Sequence, residues 1–327
     1  MKGDPGNGGV IPFDIDDVPQ FAPNFSIYTL PPNVVCLYSE HRKFFLHGEL
    51  YCALAEKIAG GASLRELVRE LERDFPIAEI QEALRRLLER RFVLPTARSR
   101  GGAGAAYWAS LGLPPETAEK NLQSFRTRIR SVDVPGASEL GAALRDLGVR
   151  LVERSADLTI TLVDDYLEGG LANLNRRHLS NMTPWLLVQL SGVFPLVGPV
   201  FRPSDGPCWT CLADRMKRNR QVKAFLNRKH ARCLAASPLC QRMIGQSAVQ
   251  LAAVEIAKAI ATGFRTDLRD HVISLDLMGS AIARHYVSAR PQCPACGRDE
   301  LRNPGRAPVS VELGESGKLV MTSGGYR

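Results

Sequence analysis

Two Cys-x-x-Cys pairs, Cys208-Trp-Thr-Cys211 and Cys293-Pro-Ala-Cys296-Gly297, constrain this chain more than any other feature. Each offers two thiolates on a tight turn, and together they form the donor set of a tetrahedral structural zinc. The pairs stand roughly eighty residues apart, farther than in a zinc finger, so a shared metal would join two distant parts of one domain. Four cysteine ligands leave no coordination position for water or substrate, which argues against a catalytic zinc. Two other readings stay open: a redox Cys-x-x-Cys, which normally occurs once at a helix start, and a coincidence of buried thiols. The remaining four of the eight cysteines lack knuckle context. Cys36 and Cys52 lie in apolar runs and read as core, and Cys233 and Cys240 stand without a second pair.

No apolar run approaches the roughly 20 residues of a spanning helix, and the start, MKGDPGNGGV, lacks the apolar core of a signal peptide. The expectation is a cytoplasmic chain whose thiols stay reduced. With 327 residues, 45% of them hydrophobic, it can bury two domain cores. A formal charge of +8 favours acidic partners but is too mild to define a nucleic-acid binder.

Residues 1–22, rich in Gly, Pro and Asp, read as a loose arm. SIYTL, VVCLY and KFFLH then alternate as three short strands. Leu50, Leu54 and Ile58 share one helical face; Ser63 and Glu66 form a capping box ahead of a second helix; Pro76 opens a third carrying Ile80, Leu84, Leu87 and Leu88. RRFVLP returns as a strand. This order spells a winged helix-turn-helix unit over residues 23–95. A Gly- and Ser-rich linker, 96–104, leads through two helical connectors to a βα alternation over 105–327, the pattern of a parallel α/β sheet. Its strands are RIRSVDV, VRLVE, ADLTITLV and PWLLVQLS. Residues 245–262 read as a buried helix, HVISLDL and RHYVSA as strands, and VSVELGESGKLVMT as a hairpin.

Three further signals bear on function. Residues 136–141 (GASELG) follow a strand as a dinucleotide-binding turn would, with Glu153 where a ribose-binding acid belongs. Ser138, however, replaces the glycine that admits a phosphate, and a site that has lost its nucleotide is the stronger reading. Asp164-Asp165-Tyr166 ends a strand and reads as capping beside a packed tyrosine. Residues 215–232 carry eight Lys and Arg, either a solvated helix face or a contact for an acidic partner. The third helix of the winged unit has its arginines at the C-terminal end, not in the half that would face a DNA groove. KFFLH offers another mode, an edge to which a peptide adds as a strand.

The combination of LTITLVDDYL, LANLNRRHLS, PWLLVQLSGVFPLVGPVFRPSDGPCWTCLADRM and CPACG resembles the leader-binding and scaffold component of azoline-forming cyclodehydratases, the makers of thiazole/oxazole-modified peptides, some of them bacteriocins. The resemblance implies a winged-helix recognition element, then a ThiF-like α/β domain with a four-cysteine zinc held by Cys208, Cys211, Cys293 and Cys296. It implies no catalytic residue and no ATP site in this chain. ATP would belong to a YcaO partner, which converts Cys, Ser or Thr of a precursor peptide to azolines; KLVMTSGGYR looks like the junction at which that domain begins in fused relatives. Carried over, the leader would pair with Lys43, Phe44, Phe45, Leu46 and His47 and meet Ile80, Leu84, Arg85 and Leu87. A flavin-dependent azoline dehydrogenase and a second copy of the chain are further implied partners. Two rivals stand beside this reading: an autonomous adenylating enzyme and a winged-helix DNA-binding regulator.

Overall fold

Alternation along the first apolar runs becomes a sheet residue for residue in the computed structural model of the protein. It describes residues 15–94, 104–230, 232, 234, 242–297, 309–313 and 319–323. The chain divides into two units, Met1–Lys120 and Asn121–Arg327.

In the first unit a short β1 (Gln20–Phe21) precedes β2 (Ser26–Leu30), β3 (Val34–Tyr38) and β4 (Lys43–His47), which form an antiparallel sheet in the order β2-β3-β4. Helices α1 (Glu49–Ala59), α2 (Leu64–Leu71) and α3 (Ile77–Glu89) follow, then β5 (Val93–Leu94), which pairs with β1. The capping box forms as the spacing requires: Ser63 Oγ accepts from the Glu66 amide and Glu66 Oε2 from the Ser63 amide. One face of each helix closes on Val35 and Leu37 through Leu54, Leu67, Ile80 and Leu87.

The loose arm is corrected for its described part. The amides of Leu64 and Arg65 donate to the carbonyls of Asp17 and Ile15, both at 2.9 Å, and Arg65 pairs with Asp16 at 3.0 Å. The opening amides of a helix have no partner within it, so a neighbouring segment that supplies carbonyls is held there. Residues 1–14 and 95–103, which include most of the linker, lie outside the described residues.

Helices α4 (Ala105–Ser110) and α5 (Pro115–Ser124) lead into the second unit. There β6 (Thr127–Ser131), α6 (Ala137–Asp146), β7 (Leu158–Leu162), α7 (Leu171–Ser180) and β8 (Trp185–Gln189) make a parallel βαβαβ run. β9 (Leu196–Phe201), α8 (Trp209–Asn219), α9 (Gln221–Arg228), α10 (Arg242–Ala261), β10 (His271–Asp276) and β11 (Ala281–Tyr286) complete a six-stranded sheet ordered β11-β10-β9-β8-β7-β6. The expected parallel sheet is therefore mixed. β8 and β9 are joined by too few residues for a crossover and run antiparallel, as do β10 and β11. VRLVE forms no strand; Leu151 makes only a single bridge to Thr127. β12 (Val309–Leu313) and β13 (Leu319–Ser323) form the expected hairpin. Among the described residues no helix is long and apolar enough to cross a membrane.

α10 is buried through Ala252, Ala253, Ile256 and Ala257 and packs on α6, while Trp185, Tyr166, Phe201 and Trp209 fill the other side of the sheet. His178 of α7 stacks on Trp185, with its Nδ1 3.0 Å from the Thr183 carbonyl oxygen. Burial pushes its pKa below the usual 6.5, helped by Arg128, Arg130 and Arg177. As pH falls through 6.5 the unfolded chain takes a proton that the folded chain resists, so the stabilisation present above that pH is lost below it. The stability of the chain is expected to fall as the pH drops through 6.5, by up to about 1.4 kcal/mol per pH unit for one proton. His178→Phe, which keeps the stack and removes the titration, should flatten that slope; an unchanged slope would exclude His178 as its source.

Candidate functional site

The turn after β9 delivers Cys208 to the N-cap of α8 and Cys211 to its first turn; the chain after β11 brings Cys293 and Cys296 against them. Sγ of Cys208 lies 4.0 Å from Cys211 and 3.6 Å from Cys293, and Cys211 lies 3.6 Å from Cys296. All four sulfurs fall within 4.8 Å of one another. A tetrahedral ion with metal–sulfur bonds of about 2.3 Å needs sulfurs about 3.8 Å apart, whereas a disulfide needs about 2.05 Å. The amide of Arg290 donates to Cys211 Sγ at 3.4 Å and that of Ala295 to Cys293 Sγ at 3.5 Å, as amides do around thiolates that bind metal. Hydrogen bonding from Cys208 and Cys296 holds the Cys211 thiol far below its ordinary value, and the same contact pushes Cys208 up to about 11. Four sulfurs so placed could hold a metal ion, and the four expected cysteines are the ones assembled.

Gly297 closes the second knuckle by donating its backbone N–H to the Cys293 carbonyl oxygen at 2.9 Å. A Cβ there would lie 2.5 Å from the Pro291 carbonyl oxygen and 2.7 Å from the Cys293 nitrogen, both backbone atoms with nowhere to go. Gly297→Ala should weaken metal retention at least tenfold against a competing chelator; full retention would mean that the turn tolerates the side chain.

At the carboxyl ends of β6, β7 and β8 lies a cavity of about 850 Å³, where parallel sheets place ligands. Gly136, at φ +102°, caps α6 there, and a Cβ would meet Leu190 at 2.7 Å. The described lining includes Glu139, Asp146 and Asp164 and contains no Lys or Arg, a poor setting for a triphosphate. Ser138 is exposed in α6, and Glu153 sits in a bend instead of at a strand end. Asp164 accepts from the Ser191 hydroxyl at 2.7 Å, and Tyr166 is fully buried, donating to the Leu187 carbonyl. Part of the basic stretch is internally paired: Arg220 clasps Asp165, Arg218 meets Asp214 and Arg215 reaches Ser288. Cys233 and Cys240 lie outside the described residues, and Cys36 and Cys52 are half-buried rather than enclosed.

In the first unit, β4 pairs only with β3 among the described residues. Lys43, Phe45 and His47 are exposed on it, while Phe44 and Leu46 turn inward. Phe44 packs edge-on against Phe25 and lies 4.7 Å from Phe92. Ile80, Leu84 and Leu87 are 0%, 7% and 3% exposed, so this structure places them in the unit's own core, not on a peptide-facing wall. Their 3-4 spacing marks a covered face without saying what covers it. Arg85 is exposed and bonds Glu82 and Glu89; Arg86 bonds Glu82. These arginines hold the Glu82 carboxyl down at about 2.

The winged helix-turn-helix domain family matches residues 20–94. Over 90% of its length the chain superposes on the heterocyclase TruD with a TM-score of 0.79 and 29% identity. The chain resembles part of a heterocyclase. A heterocyclase in complex with substrate and cofactor matches equally, at TM-score 0.77 and 29% identity over 90% of the chain. The chain spans 45% and 42% of these two proteins, under half their length. MccB of E. coli, solved with ATP, shares the fold at TM-score 0.56 and 14% identity, covering 85% of this chain and 99% of its own. No curated protein matches significantly. The resemblance drawn above from motifs is borne out as a likeness to a heterocyclase in a chain that carries a winged-helix domain.

Proposed function

We propose that this chain binds the leader of a ribosomally made precursor peptide and presents its core to a YcaO cyclodehydratase, which forms azolines from Cys, Ser or Thr with ATP. One observation carries the reading: a fold shared with a heterocyclase over nine-tenths of the chain, in which the edge of β4 is unpaired among the described residues. An open edge takes an extended peptide by main-chain hydrogen bonding. Holding the leader raises the effective concentration of the core at the partner's active site. Residues 23–95 are the recognition element in this reading and 105–327 the scaffold. Cys208, Cys211, Cys293 and Cys296 hold a structural zinc that keeps α8 against the segment following β11. The complex is cytoplasmic, and an azoline dehydrogenase acts after it.

Reconstitution tests this. The chain, a YcaO partner and a precursor with ATP should give products lighter by about 18 daltons, one water, per ring, and omitting the chain should slow the reaction at least a hundredfold, as loss of substrate positioning does. ATP–pyrophosphate exchange by the chain alone would replace this reading with an adenylating enzyme. Steeply salt-dependent duplex binding without peptide binding would replace it with a DNA-binding regulator.

A further inference from the structure

The side chains that β4 exposes specify the peptide that suits it. Period-two alternation sends Lys43, Phe45 and His47 to the outer face of the sheet and Phe44 and Leu46 to the core. Behind Phe45 the outer face continues across the sheet: Phe45 stands opposite Cys36, and Cys36 opposite Tyr28. Phe45 is 49% exposed and Tyr28 54%, so this row is an apolar band open to solvent. Lys43 stands opposite Tyr38 at one end of the strand, next to exposed Arg42 and His41. The Arg85 and Arg86 guanidinium groups of α3 already have carboxylate partners in Glu82 and Glu89, so the positive charge at this end of β4 comes from Lys43 and the adjoining Arg42.

We propose that the peptide added to β4 carries a carboxylate and, two residues away, an apolar side chain, set opposite Lys43 and Phe45. This rests on the leader-binding reading and names the side chains that reading leaves open. A strand in either direction puts every second residue on the outer face, so acid, any residue, apolar is the recognised unit. Directly opposed side chains across two strands attract or repel according to charge and extend apolar contact. The apolar residue prolongs the band of Tyr28, Cys36 and Phe45; the carboxylate meets the Lys43 ammonium.

Fluorescence anisotropy on the full chain tests the pattern. One labelled peptide carries glutamates two residues either side of a leucine, a symmetry that makes strand direction irrelevant. A second replaces both glutamates with lysine, and a third replaces the leucine with aspartate. The first is expected to bind about tenfold tighter than the second, and Lys43→Glu should reverse that order. Phe45→Ala should erase the difference between the first and third. Both positions are exposed, and unchanged melting curves confirm that the variants fold. Equal affinities for all three peptides, alike in the parent and Lys43→Glu, overturn the pattern while strand addition stands. If neither these peptides nor a precursor that the reconstituted complex modifies binds, the leader-binding reading falls as well.

Discussion

Cys211→Ser is expected to release the metal and to lower the stability of the α/β unit by roughly 2–5 kcal/mol, the range for removing a native cross-link that closes a long loop. Cys211 is fully buried, touches the sulfurs of Cys208 and Cys296 and receives the Arg290 amide. A serine hydroxyl is a poor zinc ligand and leaves three thiols crowded together without a cation. Total metal analysis should give one zinc per parent chain and none in the variant. A chelator should lower the melting temperature of the parent to that of the variant and leave the variant unmoved. A parent chain purified without stoichiometric metal, and indifferent to chelator, would remove the zinc assignment while leaving the fold untouched.

Phe45→Asp is expected to cost between tenfold and a hundredfold in leader affinity without changing the melting temperature. A half-exposed phenylalanine contributes little to the folded unit, but burying the rest of its ring under an added strand is worth about 0.7–1.5 kcal/mol, half of a full burial, and a carboxylate there adds a desolvation cost of its own. Phe44→Asp is the contrasting control. Phe44 is held between Phe25 and Phe92, so a charge at that position should unfold the winged-helix unit outright. If Phe45→Asp binds the leader as well as the parent does, β4 is not the docking edge.

The difference between those neighbours marks where sequence reading stops. The strands Ser26–Leu30, Val34–Tyr38 and Lys43–His47 follow from alternation and turn residues, and the Ser63 cap and both cysteine knuckles follow from local spacing. Periodicity alone does not tell an apolar face covered by its own core from one kept for a guest, and so Ile80, Leu84 and Leu87 needed their neighbours before they could be placed. Strand direction is a similar case. β9 is not among the expected strands, its apolar run being broken by Gly198 and Pro199, and the short connection from β8 makes it antiparallel. The anchoring of residues 15–17 rests on backbone carbonyls, which carry no side-chain signature, and on an Asp16–Arg65 pair between residues far apart in the sequence. Arg85, expected above to meet the leader, instead bonds Glu82 and Glu89 at spacings of three and four, a local pairing that the sequence reading did not draw.

With the metal bound, the two knuckles turn the intervening segment into a ring. Cys208 and Cys293 are 85 positions apart, as are Cys211 and Cys296, and α9, α10, β10 and β11 all lie within that interval. A protease cut anywhere inside it would convert one chain into two that remain tethered through the thiolates. The fragments would travel together on a sizing column and run apart in denaturing gels, and withdrawing the metal would leave the β9–β10 pairing and the packing across the unit to join them. With an ion held there, the continuity of this unit would rest on the metal as well as on its peptide bonds.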